Sequence, residues 1–233
     1  MPDSTGNRPA AFFDLDKTLL AVNSGKLWIN NERKAGRLPF SMALRGMSYL
    51  VLYHFGFIDM DKAMSQALGT IKGIAEKEVD RITQEWFYSV VAPHEAPGAR
   101  GYLEAHRMAG HPLVLLTSSS PYESRCAQKF FGMDARLHSH YEIQDGVFTG
   151  RFVPPLCYGD GKVHYAREYA TQEDIDLGQS YFYTDSYTDL PVLEIVGNPR
   201  IVSPDPRLRR VATRRGWPIL DWSRETKGDN VTL

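Results

Sequence analysis

Cysteine is nearly missing from this chain. Cys126 and Cys157 are the only two among 233 residues, too few for the disulfide framework of a small secreted domain. An excess of charge of one sign is missing too. The 27 Lys and Arg against 28 Asp and Glu give a formal net charge of -1. No overall field therefore draws the chain to nucleic acid or to an anionic membrane. Nor is there a run long enough to span a bilayer. Met47 to Ile58 is mostly apolar, but it is shorter than the ~20 residues a span needs, follows Arg45 and is interrupted by His54. It reads as a buried helix, with docking on a membrane surface or a partner as the lesser alternative. Met1 to Pro9 is polar, lacks the apolar stretch of a secretory signal and reads as a loose lead-in. These absences lead us to expect a cytoplasmic protein.

Two nucleotide fingerprints are absent as well. No Gly-x-Gly-x-x-Gly follows an apolar run, and Gly161-Lys162 is followed by Val163 instead of Ser or Thr, so a P-loop is excluded. What is present is an ordinary soluble composition, 42% hydrophobic and 24% charged. The length suits one large domain or a core with an insert.

The stretch Ala10 to Leu20 stands out. Ala10-Ala11-Phe12-Phe13 leads into Asp14-Leu15-Asp16-Lys17-Thr18. This reads as a short buried strand that delivers two carboxylates at its carboxyl end. Such an end opens into a crevice in a parallel sheet. Paired carboxylates there suit a cation, or a phosphoryl group bound through one. A surface turn with two solvated aspartates is the plainer reading of that motif alone.

From Ser24 to about Val91 no strand pattern appears. Ser24–Lys34, Ser41–Phe55, Asp61–Ile71 and Glu76–Val90 each read as helices. After Pro93 and Pro97 the rhythm changes to alternating strand and helix. Leu113–Leu116 is a buried strand ending in Thr117-Ser118. Helices follow at Pro121–Phe131 and Gly161–Ala170. The segments 135–143 and 147–152 flank the hairpin signal Asp145-Gly146. A further strand, Ser180–Tyr183, ends at Thr184-Asp185, and the alternation runs on to Leu220. The fold class is thus α/β: a Rossmann-like parallel sheet with helices on both faces and an inserted all-helical subdomain. Residues 1–21 and 94–233 form the expected core, and 22–93 the insert.

Three strand ends carry polar residues: Asp14 and Asp16; Thr117 and Ser118; Asp185 and Asp189. A parallel sheet places such ends along one edge. Free N–H groups at the helix start beyond Thr117 suit phosphate oxygens. Lys162, near a helix start, is the candidate counter-charge. Each has a plainer explanation, such as helix capping for 117–120 or a solvated lysine. Their coincidence at three ends favours a site. His138 and His140 read as surface histidines on one strand face, Cys157 as packing, and the five arginines from Arg207 to Arg215 as a solvated helix face.

Asp14-x-Asp16-x-Thr18, Thr117, Lys162 and Asp185-x-x-x-Asp189 resemble, in order and spacing, the four motifs of the haloacid dehalogenase superfamily. The placement of the helical insert resembles its phosphoserine-phosphatase-like branch. The resemblance covers residues 10 to 221. It implies a Mg2+-dependent phosphatase that hydrolyses a small phosphorylated metabolite through an aspartyl-phosphate, with the insert as a mobile cap. Asp14 would be the nucleophile and Asp16 the general acid and base. Mg2+ would sit between Asp14, Asp185 and the backbone carbonyl of Asp16. Asp189 would support the metal indirectly or orient Lys162. Thr117 and the Ser118 N–H would hold a phosphate oxygen, Lys162 would offset charge, and Thr18 would shape the turn. Phosphoserine phosphatases carry a glutamate at the position of Asn23, so Asn23 is expected to face the organic part of the substrate and to set specificity. Phosphoserine, histidinol phosphate and other small phosphomonoesters stay open. So do a phosphotransferase and a phosphate-binding or aspartyl-phosphate module with little turnover.

Overall fold

Short apolar runs of three to five residues are too brief to be helices, and burial on both faces suits them to a parallel sheet. The computed structural model describes residues 7–34, 36, 59–222, 231 and 233. Its strands are β1 (Ala11–Phe13), β2 (Leu113–Leu116), β3 (Ala135–Leu137), β4 (His140–Gln144), β5 (Val147–Val153), β6 (Tyr181–Thr184), β7 (Asn198–Val202) and β8 (Ile219–Leu220). The principal helices are α1 (Ser24–Lys34), α2 (Met60–Gly69), α3 (Glu76–Trp86), α4 (Ala99–Met108), α5 (Pro121–Phe131), α6 (Asp160–Gln172), α7 (Leu190–Leu193) and α8 (Pro206–Arg215).

Six strands form one sheet in the order β3-β2-β1-β6-β7-β8, with every neighbouring pair parallel. Phe12 lies opposite Val114 on one side and Phe182 on the other. Alternation along the strands sorts the side chains into two cores. Phe13, Leu115 and Tyr183 pack with Tyr102 and Leu103 of α4, Phe131 of α5 and Trp222. Phe12, Val114 and Phe182 pack with Ala166 of α6, Leu193 of α7 and Leu208 of α8. Full burial of each such aromatic or branched side chain is worth about 1.5–3 kcal/mol. That locks β1 in the middle of the sheet, with neighbours on both sides.

The helix boundaries follow local chemistry. Ser120 caps α5 by accepting from the Glu123 N–H at 3.1 Å, Pro121 occupies its first turn, and Gly132 ends it at φ 67°. Asp205 caps α8, accepting from the N–H groups of Arg207 and Leu208.

Three expectations need correction. Residues 135–143 are not one strand. The chain breaks at His138-Ser139, where the Ser139 hydroxyl accepts from the Cys157 N–H at 2.9 Å. β3 therefore stays in the main sheet, while β4 pairs with β5 in a separate antiparallel hairpin. Asp145 and Gly146 turn that hairpin with φ of 52° and 76°, as the Asp-Gly signal predicts. His138 and His140 accordingly flank the break instead of sharing a strand face. His138 is buried, 2.8 Å from Arg136, and only His140 is exposed. The lead-in is also less loose than expected at its end: the Asn7 N–H reaches the Asp174 carbonyl at 3.1 Å.

Among the described residues of the insert there are helices and no ladder strand. The hairpin is joined to it. The Gly73 N–H donates to the Phe148 carbonyl at 2.8 Å, and the Phe148 N–H donates to the Ile74 carbonyl at 3.0 Å. The expected helix Ser41–Phe55 and the apolar stretch Met47–Ile58 lie outside the described residues. No described helix is long and apolar enough to cross a membrane.

Beneath β1 a buried polar pair interrupts the apolar layer. His106 of α4 is fully buried, with Nε2 2.8 Å from the Tyr183 hydroxyl and Nδ1 2.9 Å from His111 Nδ1. Burial, with His111 and Arg200 adding to it, pushes the His106 imidazole down to about 3. The folded state thus keeps His106 neutral where the unfolded chain, with its ordinary value near 6.5, takes a proton. The contribution of this group is complete above pH 6.5 and drains away as pH falls toward 3, by up to about 1.4 kcal/mol per pH unit. Urea unfolding of wild type and His106→Gln between pH 7 and pH 4 should show this extra loss only in the wild type. Parallel pH dependences would contradict it.

Candidate active site

The centre of the site is where β1 stops. Asp14 is still extended (φ -75°, ψ 163°), and its N–H donates to the Tyr183 carbonyl of β6 at 2.9 Å. The chain then turns tightly through Leu15–Leu19, with Lys17 in the left-handed region at φ 55°. Leu15 and Leu19 are buried and anchor this turn to the core. Thr18 is fully buried and its hydroxyl finds no hydrogen-bond partner. That fits a packing role in the turn.

The turn carries Asp16 away from the strand and back onto the first residues of α1. Its Oδ2 accepts from Asn23 Nδ2 at 3.0 Å, and its Oδ1 accepts from the Ser24 N–H at 2.9 Å. The other end of the Asn23 side chain caps α1, accepting from the Lys26 N–H at 3.0 Å. Asn23 does line the cleft. Its amide, though, is turned onto Asp16, a duty that the spacing alone did not reveal.

Lys162 enters from the far side. It is only 2% exposed, and its ammonium donates to Asp14 Oδ1 at 2.8 Å and to Asp189 Oδ2 at 2.9 Å. Asp189 Oδ2 accepts a second bond, from the Thr184 hydroxyl, at 2.7 Å. Asp189 is therefore a holder of Lys162, not a cap for α7. The lysine reaches this place because α6 starts almost in contact with the preceding loop. A Cβ at Gly161 would lie 1.8 Å from the Leu156 carbonyl oxygen, so only glycine lets the backbone come this close.

At the end of β2, Thr117 is buried, and its Oγ1 accepts from the Ser119 N–H at 3.1 Å. Its own hydroxyl proton stays available to an acceptor in the cleft. Ser120, not Thr117, caps α5, so capping explains only part of the 117–120 run.

Asp14, Asp16, Asn23, Thr117, Ser118, Lys162, Asp185 and Asp189 all line one cleft. Every position singled out in the sequence is thus brought to the same edge of the sheet. Sequence reasoning missed Lys17, Ser186 and Thr188, which line it too. Lys17 sits 3.7 Å from Asp185. Its place inside the first motif, next to two acids, was the signal that could have found it.

The electrostatics of the cleft are unbalanced. Burial pushes the Asp14 carboxyl up to about 7, with Lys162 pulling it down and Asp189 and Asp16 adding to the rise. Burial also raises Asp16, against the Ser24 hydrogen bonds and the charges of Lys17 and Lys162. Asp185 is raised well above the ordinary carboxylate range, first by burial and then by Asp14. Two buried carboxylates on adjacent strands, Asp14 and Asp185, thus compete for too little positive charge. Their oxygens are hard donors, and with a backbone carbonyl of the same turn they fit a small divalent cation. Among the described residues no three acidic, histidine or cysteine side chains gather as a ready-made metal cluster.

Comparison with known proteins bears on this geometry. The chain matches the haloacid dehalogenase-like hydrolase family over residues 11–194. It is 33% identical to the inhibition of morphological differentiation protein of Streptomyces azureus, over 94% of this chain and 80% of that one. It is 32% identical to the phosphoserine phosphatase SerB1 of Mycobacterium tuberculosis, over 91% of this chain and 70% of that one. Identity to a histidinol-phosphatase of Neisseria meningitidis is 27%, over 91% of this chain and 98% of that one. A crystal structure of a protein of unknown function from Bordetella pertussis superposes with a TM-score of 0.83 at 28% identity, covering 93% of this chain and 99% of that one.

The excess of buried negative charge yields a stability prediction. A carboxyl raised on folding costs stability above its ordinary value near 4, and that cost disappears when the group cannot ionise. Asp185→Asn should therefore melt a few degrees higher than wild type at pH 8 in chelator. Added Mg2+ should close the gap by stabilising the wild type alone. A variant that melts lower than metal-free wild type would refute this account of the site.

Proposed function

The chain belongs to the haloacid dehalogenase-like hydrolases, and from that premise we propose that it is a Mg2+-dependent phosphatase of small phosphomonoesters. The observation that carries the reading is the buried Lys162 ammonium, bonded at once to Asp14 and Asp189 beside the under-compensated Asp185. A lysine so buried is rarely found without a charge to serve. Here it neutralises part of a site that is otherwise too negative to admit a phosphate.

Asp14 is the nucleophile. Lys162 engages Oδ1, which leaves Oδ2 as the attacking atom. Attack on phosphorus forms an aspartyl-phosphate and expels the substrate alkoxide, splitting one difficult hydrolysis into two easier steps. Asp16 delivers a proton to the departing oxygen, then takes one from the water that hydrolyses the aspartyl-phosphate. Thr117 and the Ser118 N–H hold non-bridging oxygens. Asp189 keeps Lys162 aimed at the phosphoryl group. Asp14, Asp185 and the backbone carbonyl of Asp16 would hold Mg2+, which would supply charge that shields an anionic ester from an anionic nucleophile. The described helices of the insert, α1, α2 and α3, would form part of a cap over the leaving-group end.

The relatives named for phosphoserine and histidinol phosphate point to small amino-alcohol phosphates as the substrate class. Asn23 lines the cleft beside Asp16 and shapes what the leaving group meets there. Because it is an amide, it gives an ammonium no counter-charge. A binding module without turnover has no use for an acid held at both oxygens, as Asp16 is.

Screening phosphorylated metabolites for released phosphate, with and without Mg2+, tests the reading. Asp14→Asn should fold normally and lose at least about 10³-fold in turnover. A well-folded variant with near wild-type turnover would remove Asp14 as the nucleophile. Full activity after exhaustive chelation would remove the metal.

A further inference from the structure

Lys17 lines the cleft, yet the proposed reaction gives it nothing to do. Its backbone is fixed. The residue sits in the left-handed region at φ 55° and ψ 12°, where side chains other than those of glycine and asparagine are uncommon. Its N–H donates to the Val22 carbonyl at 3.0 Å. Leu15 on one side of it in the chain, and Thr18 and Leu19 on the other, are fully buried. The side chain is freer. It is 36% exposed, and its ammonium lies 3.7 Å from Asp185 Oδ2.

Asp185 needs that charge, for its side chain is only 6% exposed. The deeper ammonium, that of Lys162, is already engaged by Asp14 Oδ1 and Asp189 Oδ2. Among the described residues, Lys17 is the cation within ion-pair reach of Asp185. A carboxylate shut away from water is costly without a counter-charge. A flexible stem with a compact ammonium at its tip can bring one without closing the cleft. At 3.7 Å the contact is an ion pair beyond hydrogen-bond length, so nothing directional holds the ammonium in place.

We propose that Lys17 is the resting counter-ion of Asp185, a tethered positive charge that a divalent cation entering the cleft has to displace and that therefore weakens cation binding. The proposal rests on the reading of Asp185 as a metal ligand. A small divalent cation sits about 2.0–2.1 Å from a carboxylate oxygen. An ammonium held at its present distance from the same carboxylate would stand close to that cation, and two positive charges so near repel each other. The fixed backbone and the half-open side chain suit this exchange: the turn stays put while the ammonium withdraws into water. Competition for one carboxylate is reciprocal, so whatever Lys17 contributes to the metal-free fold it takes from metal affinity.

The test reads metal binding and stability, not turnover. Wild type, Lys17→Met, Lys17→Asn and Lys17→Arg are titrated with Mg2+ in a calorimeter, and each is melted at pH 8 in chelator and in excess Mg2+. Methionine keeps much of the stem and asparagine suits the left-handed turn, and both remove the ammonium. Each should bind Mg2+ about three- to tenfold more tightly than wild type. Each should melt about 2–4 °C lower in chelator, with the difference shrinking in excess Mg2+. Lys17→Arg, which keeps the charge, should stay close to wild type in both. In an Asp185→Asn background the loss of melting temperature in chelator should fall by at least about half, because the partner is gone.

Unchanged Mg2+ affinity in the methionine and asparagine variants would overturn the proposal. A melting loss undiminished by Asp185→Asn would overturn it as well, since Lys17 would then serve some other group. Unchanged Mg2+ affinity together with weaker inhibition by inorganic phosphate would overturn it in favour of a lysine that receives the substrate's anion. A wild type that shows neither heat nor a melting shift with Mg2+ would overturn the metal reading of the site itself, and the proposal with it, before any variant is compared.

Discussion

The site depends on holding one buried ammonium between two carboxylates. Lys162 bridges Asp14 and Asp189, which come from the ends of β1 and of the loop after β6. An ion in this position loses its hydration, and only close partners with good geometry can offset that loss. Both partners must therefore be delivered rigidly, and the sheet does this. Asp14 is tied by its own N–H to the Tyr183 carbonyl, so the proposed nucleophile is fixed by the same ladder that orders the strands. Thr184, the last residue of β6, fastens Asp189 from beneath.

The rest of the cleft is arranged around what that ammonium cannot neutralise. One lysine, with Lys17 at longer range, faces four aspartates. The remaining imbalance appears as carboxyls raised by burial and by one another. A stable metal-free fold would avoid this arrangement. A bound cation would offset the excess negative charge and stabilise the fold. Asp14, Asp16 and Asp185, whose carboxyls burial raises, are thus also groups proposed for the chemistry.

Asp16 is treated differently from Asp14. It is bound not to the sheet but to Asn23 and Ser24 at the head of α1, the first helix after the core strand. The proposed acid is consequently placed by the segment that leads into the insert, whereas the proposed nucleophile is placed by the core. Any motion of α1 would be felt by the acid first. That division suits an enzyme in which the leaving group lies under the insert while the phosphate lies on the core.

The chain itself determined the frame. Apolar runs of three or four residues ending in Asp14, Thr117 and Asp185 read as buried parallel strands with polar carboxyl ends, and a parallel sheet places such ends along one edge. Gly161 next to Lys162 marked a helix start. These are local or short-range consequences of side-chain type, and they are legible in one dimension. Tertiary structure decided the rest, because it depends on which surfaces meet. The break at His138-Ser139 follows from a hydrogen bond to Cys157, 18 residues further on. The hairpin joins the helical insert through the backbone at Gly73 and Ile74. Asn23 turned out to face Asp16. Burial fixes these contacts, since a polar group shut away from water takes whatever partner the packed fold brings within reach. No pattern along the sequence encodes which partner that is.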